Sequence, residues 1–262
     1  MQTAKVLAST ATHKIESWQK RSPFIILILA SIVGAATGLL GSLFHICINY
    51  TVSYREQFSQ HVGHASPYLS YFLIFCITAA MGAFAYYLVQ RFAPETGGSG
   101  IPEVEGALLN LRPVRWWRVI PVKFFGGLGA LGSGMVLGRE GPTVQIGANL
   151  GKMTADLCKV KNNESLHTLI ATGAGAGITA AFNAPLSGIL FVIEEMRPEF
   201  TYTKASIKAV FVGCITSCMV YQFIMGSNPI LDMGTFLAAP LKSVWIYIFL
   251  GLFLGLIGSL SN

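Results

Sequence analysis

The chain has 262 residues, of which 53% are Ala, Val, Ile, Leu, Met, Phe, Trp, Tyr or Cys and 11% are charged, and its mean hydropathy is +0.58. Soluble domains carry about 25% charged residues, so composition excludes an ordinary soluble fold. The net charge of +6 would suit a nucleic-acid partner in a soluble protein, but in a chain this apolar the placement of Lys and Arg reports membrane orientation, and no nucleic acid is expected.

Residues 1–22 are polar and Ser/Thr-bearing before apolar residues accumulate, which predicts a cytoplasmic lead-in rather than a cleaved signal peptide. A single transmembrane domain is expected over 23–262. It begins with 33 uncharged residues between Arg21 and Arg55, followed by 34 between Glu56 and Arg91. A transmembrane helix needs about 20 residues, so each run holds one. Further charge-free runs cover 165–193 and 209–231, and 20 uncharged residues follow Lys242. The fold class is therefore all-α and multi-pass.

With the N-terminus inside, 15 of the 18 Lys and Arg residues, Lys123 among them, fall on the inner side; Arg55, Arg139 and Lys242 fall outside. This requires an even number of crossings between Lys161 and Arg197. Proline disfavours helix in the residue before it, so Asn183, Ala184 and Pro185 predict a break that yields two short antiparallel helices.

Five cysteines lie in or beside apolar segments without a C-x-x-C pair, and Cys214 and Cys218, one helical turn apart, are assigned to packing. His61 and His64 form a lone H-x-x-H with no Cys or carboxylate near it in sequence, too little for a metal site. No nucleophile–base constellation is present, so enzyme function is not expected. Most of the 28 glycines, such as Gly34, Gly38, Gly41, Gly173, Gly175 and Gly177, read as small faces for close helix packing.

Two clusters resist that reading: GGSGIPEVEGAL at 97–108 and GREGPTVQIGAN at 138–149. Each joins flexible glycines to a proline near a predicted helix start, where its missing amide hydrogen costs nothing. A helix N-terminus presents unpaired amides and about half a positive charge, which together hold anions. Irregular backbone at membrane depth is tolerated where it lines a cavity, as in the broken helices of transporters. The pattern predicts an anion site built from two helix ends in short segments.

Ser99 reads either as an N-cap or as a hydroxyl donor to that anion. Glu140 is a carboxylate between uncharged segments; it reads as a gate that occupies the anion site and leaves on protonation, or as a salt bridge to its neighbour Arg139. Glu194 and Glu195 close the run GILFVIEEMRPEF, and by themselves read as a solvated pair or as partners of Arg197.

The clusters resemble the first two selectivity-filter motifs of the CLC family of chloride channels and proton/chloride exchangers. GSGIP spans Gly98, Ser99, Gly100, Ile101 and Pro102, and GREGP spans Gly138, Arg139, Glu140, Gly141 and Pro142. The likeness runs from about Pro23 to the last residue, includes RPVRWWRVIPVKFFGG and FNAPLSGILFVIEEMRPEF, and is strongest to bacterial exchangers.

It implies a CLC-type fold with re-entrant helices and coupled antiport of chloride and protons in a bacterial inner membrane. The transported ions would be the only ligands, with no cofactor. By the same resemblance Ser99 coordinates the central anion, with a preference for chloride over nitrate. Glu140 is the external gate and proton acceptor, and Glu195 is the internal proton-transfer residue that many channel members lack.

The family's third filter segment, G-x-F-x-P, and its late tyrosine have no counterpart here, so the likeness covers the first of two inverted halves and the start of the second. A homodimer is implied for the complete fold, and membrane lipid is the surrounding partner. A passive chloride channel of the same family and a non-transporting fragment are the alternatives.

Overall fold

The structure is a computed structural model that describes residues 23–63, 67–196, 202–227 and 241–260. His64, Arg197 and the lead-in at 1–22 lie outside the described residues. The chain forms α1 (Pro23–Gly63), α2 (Pro67–Phe92), a 3-10 turn (Pro94–Thr96), α3 (Ile101–Leu108), α4 (Trp116–Gly132), α5 (Glu140–Leu157), α6 (Asn163–Phe182), α7 (Pro185–Glu194), α8 (Lys204–Met225), a second 3-10 turn (Leu241–Ser243) and α9 (Val244–Leu260). Among the described residues, α1, α2 and α8 contain stretches long and apolar enough to cross a membrane.

Helix α1 has 41 residues; at a rise of 1.5 Å per residue it is about 60 Å long, twice the roughly 30 Å hydrocarbon thickness. Residues 1–228 and 229–262 form separate compact units. In the second, α9 is a 17-residue apolar helix with no buried residue.

The first unit is organised around α6, which is buried continuously from Thr168 to Ala181. A helix without a polar face has to sit inside a bundle. Its neighbours approach closely through small residues. A Cβ on Gly147 of α5 would strike the carbonyl of Gly173, and one on Gly177 would strike that of Thr143. Gly175 faces the backbone of Gly188 on α7, and Gly34 and Gly38 of α1 face the backbones of Gly213 and Ser217 on α8. The small-face reading of these glycines therefore describes their packing, because each lets two backbones meet where a side chain would hold them apart.

Larger side chains fill what remains. Val144, Ala148, Ile170, Ala174, Ile178, Ile189, Val192, Val210 and Cys214 form one core, and Phe44, Phe124, Ile146 and Leu150 a second. Phe44 and Phe124 pack with ring centroids 5.3 Å apart.

The break inside 165–193 falls where the sequence places it, although only α7, at 10 residues, is short; α6 has 20. Asn183 ends α6 in the left-handed conformation (φ 53°), and Pro185 opens α7. Asparagine tolerates that conformation, and its side chain is held here, accepting from Gln222 Nε2 at 3.0 Å. Cys214 and Cys218 are both buried free thiols, with Cys218 Sγ 3.5 Å from the Asn183 side-chain oxygen. Cys218 thus packs at the break, and Cys214 packs in the core against Gly175.

Candidate anion-binding site

Both glycine clusters end in helix N-termini. Gly98 (φ 67°) and Gly100 (φ 89°) turn the chain through the left-handed region into α3, with Pro102 in the first turn. Gly100 occupies the N-cap position, so Ser99 stands one residue before it. The serine nevertheless does half of a cap's work, since its Oγ accepts the Ile101 amide at 3.3 Å. That contact uses an oxygen lone pair and leaves the hydroxyl hydrogen available to an exposed anion. The two sequence readings of Ser99 are compatible.

The second cluster enters α5 with Arg139 as N-cap and Glu140 as the first helical residue. Pro142 has no amide hydrogen, and the Thr143 amide bonds to the Arg139 carbonyl at 3.2 Å. The free donors of this helix end are thus the amides of Glu140 and Gly141. At 18 residues, α5 is not the short segment expected from sequence; twelve of its residues are buried, and the helix anchors the site in the core.

The fold brings the clusters together. A Cβ on Gly141 would overlap the Ser99 backbone, so the start of α5 lies directly on the turn before α3. Gly100 in turn packs against the side chain of Gln145, whose Nε2 donates to the Glu95 carbonyl at 2.8 Å. One cavity of about 670 Å³ is lined in common by Gly98, Ser99, Lys123, Gly138, Glu140 and Gly141. Within it the Glu140 carboxylate folds back against Gly138, where a Cβ would overlap Oε2. Among the described residues Glu140 makes no ion pair with Arg139; the ion pairs present are Arg112–Glu103 and Lys152–Asp156.

Lys123, counted among the inner-side charges, is 4% exposed in the middle of α4, so it is not a solvent-facing residue flanking a span. Its ammonium donates to the carbonyls of Thr96 at 2.9 Å and Gly98 at 2.8 Å. The interaction ties α4 to the first glycine turn and places a cation in the wall of the cavity. Sequence carried the signal, since Lys123 is the only charge between Arg118 and Arg139, and a lone intramembrane cation is functional by default.

Glu195 is not brought into this cavity. It caps the C-terminus of α7, exposed together with Glu194. The end of α7 is fastened by Tyr202, whose hydroxyl lies 3.2 Å and 2.7 Å from the carbonyl oxygens of Val192 and Ile193. The arrangement is a pair of helix N-termini that meet at one cavity with a carboxylate inside it, and a second, separate carboxylate at another helix end.

The model of the voltage-gated chloride channel family matches residues 81–262, and the chain belongs to that family. It is 52% identical over 243 residues to the H(+)/Cl(-) exchange transporters ClcA of Salmonella paratyphi B and Salmonella newport, covering 92% of this chain and 51% of each relative. It spans about half the length of these relatives. A slow cyanobacterial Cl-/H+ antiporter of known structure superposes with a TM-score of 0.83 at 39% identity, covering 89% of this chain and 54% of that one. A CLC-type fluoride/proton antiporter shares the fold at a TM-score of 0.71 and 20% identity, with coverages of 89% and 55%.

Proposed function

We propose that the chain serves the exchange of chloride for protons across a bacterial inner membrane, with its N-terminus cytoplasmic. The central anion is held by the Ser99 hydroxyl at the entrance of α3 and by the amides that open α5. Glu140 takes the same place when ionised and gives it up when protonated. Glu195 passes the proton at the other end of the route. The 52% identity to named H(+)/Cl(-) exchangers supports the ions chosen.

The observation that carries the reading is the Glu140 carboxylate folded over Gly138 at the head of α5. A carboxylate and a chloride compete there for one set of donors, because both are stabilised by the same exposed amides and the same helix dipole. Protonation removes the carboxylate's charge and with it the advantage over chloride, so proton uptake and anion binding become one event. Nearby Lys123 favours whichever anion is present.

The exposed row Phe211, Ile215, Met219 and Phe223 on α8 gives lipid, or the second subunit of a homodimer, an apolar face to cover. Exchange is tested in liposomes carrying the chain, with chloride efflux and external pH recorded together. Chloride leaving down its gradient should drive protons against theirs, and Glu140→Gln should abolish that coupling. Chloride flux without proton movement would overturn exchange, and absence of flux would overturn the reading for this chain.

A further inference from the structure

A second cavity, of about 890 Å³, opens between α1 and α2, with Tyr50, Tyr54, Arg55, Ile74, Ile77 and Met81 in its wall. Its volume is that of a small-molecule pocket. The two helices are joined on one side of it by the Ser70 hydroxyl donating to the Ser59 carbonyl at 3.3 Å. On the other side Met81 lies against Gly132 of α4.

The wall divides by chemistry. Ile74, Ile77 and Met81 make an apolar floor on α2, whereas α1 supplies a half-buried guanidinium, Arg55, with exposed Tyr50 and Tyr54 beside it. Tyr68 and Tyr71 are exposed at the start of α2, so tyrosines stand on either side of Arg55 in the sequence, where the 33-residue uncharged run ends. Such belts mark the level of lipid headgroups.

Arg55 is poorly satisfied where it stands. Its hydrogen bond from Nη1 to the Gly132 carbonyl is 3.4 Å long, beyond the usual range for a strong N–H···O bond. Among the described residues no carboxylate pairs with it. A partly desolvated guanidinium has donors to spare and a planar fork suited to phosphate.

We propose that this cavity binds one anionic phospholipid, its phosphate on Arg55 between Tyr50 and Tyr54 and an acyl chain along Ile74, Ile77 and Met81. Charge selects the occupant: an apolar groove alone would take any tail, while an unpaired arginine at headgroup depth prefers a lipid of net negative charge. Because Arg55 also contacts the C-terminus of α4, the lipid sits against the turn that leads to Arg139 and Glu140. The site does not depend on the transport reading.

The test is native mass spectrometry of the purified 262-residue chain in detergent, titrated separately with phosphatidylglycerol and phosphatidylcholine. One phosphatidylglycerol should bind saturably, at least tenfold more tightly than phosphatidylcholine. Arg55→Lys should keep the preference and Arg55→Gln should lose it. Ile77→Trp, which fills the floor without touching Arg55, should abolish the tight site. Equal affinity for the two lipids, an unchanged preference in Arg55→Gln, or undiminished binding in Ile77→Trp would overturn the proposal. So would competition by glycerol phosphate as effective as that by the intact lipid, or a second copy of the chain excluding the lipid.

Discussion

The ammonium of Lys123 lies 2.8 Å from the carbonyl oxygen of Gly98, tying the middle of α4 to the glycine turn that precedes Ser99. A cation is thereby buried beside the proposed anion site, among the described residues without a carboxylate paired to it, and it also fixes the course of the turn. Lys123→Met removes the charge and strands two carbonyls. Without the nearby positive charge the site loses electrostatic attraction for an anion, so chloride affinity should fall about tenfold, which corresponds to about 1.4 kcal/mol. Calorimetric titration checks this, and wild-type affinity in the variant would refute the role.

Ser99 accepts from Ile101 and keeps its own hydrogen free. Ser99→Pro deletes both the hydroxyl and an amide, and should shift the preference from chloride toward nitrate. Ser99→Thr, which retains the hydroxyl, should preserve it. Competition between the two anions in a binding assay reads the difference; an unchanged preference in Ser99→Pro would count against Ser99 as an anion ligand.

Glycines in the same bundle should respond to alanine in opposite ways. At Gly147 a Cβ would run into the carbonyl of Gly173, but at Gly126 the nearest atom, Val89 Cγ2, is an ordinary 3.7 Å away. Gly147→Ala should destabilise by about 1–3 kcal/mol through forced separation of α5 and α6. Gly126→Ala should be neutral or stabilising by up to about 1 kcal/mol, since it lowers backbone freedom in the unfolded chain. Thermal melting in detergent measures both.

The separate positions of Glu140 and Glu195 predict different failures. Glu195→Gln should halt proton movement while chloride still passes, because the anion cradle is untouched. Glu140→Gln should also lose coupling, but with chloride permanently resident at the head of α5. Paired chloride and proton records distinguish them, and retained coupling in either variant would remove that residue from the proton route.

Much of this was legible in the sequence, and the reasons differ by residue. The break at Asn183–Pro185 is local chemistry: a left-handed-tolerant residue followed by one that starts helices. Gly98, Gly100 and Pro102 announce a helix entrance in the same way. The burial of Lys123 was not legible because the charge count treats every lysine as a flanking residue, whereas this side chain is consumed by two backbone carbonyls reached only once α4 packs on the first glycine turn. The contact of Gly141 with Ser99, and the distance kept by Glu195 from both, are products of how α5 lies on α6. That packing is set by backbone approaches at Gly147 and Gly177, and no local pattern states which partner each will meet.

The central claim is that the Glu140 carboxylate and a chloride compete for one helix end. Its most direct test is chloride titration of the purified chain at neutral pH beside Glu140→Gln. The account predicts weak binding in the wild type and at least tenfold tighter binding in the variant, since the neutral amide cannot hold the site against an anion. Equal affinity in the two proteins, or no chloride binding by either, would contradict it.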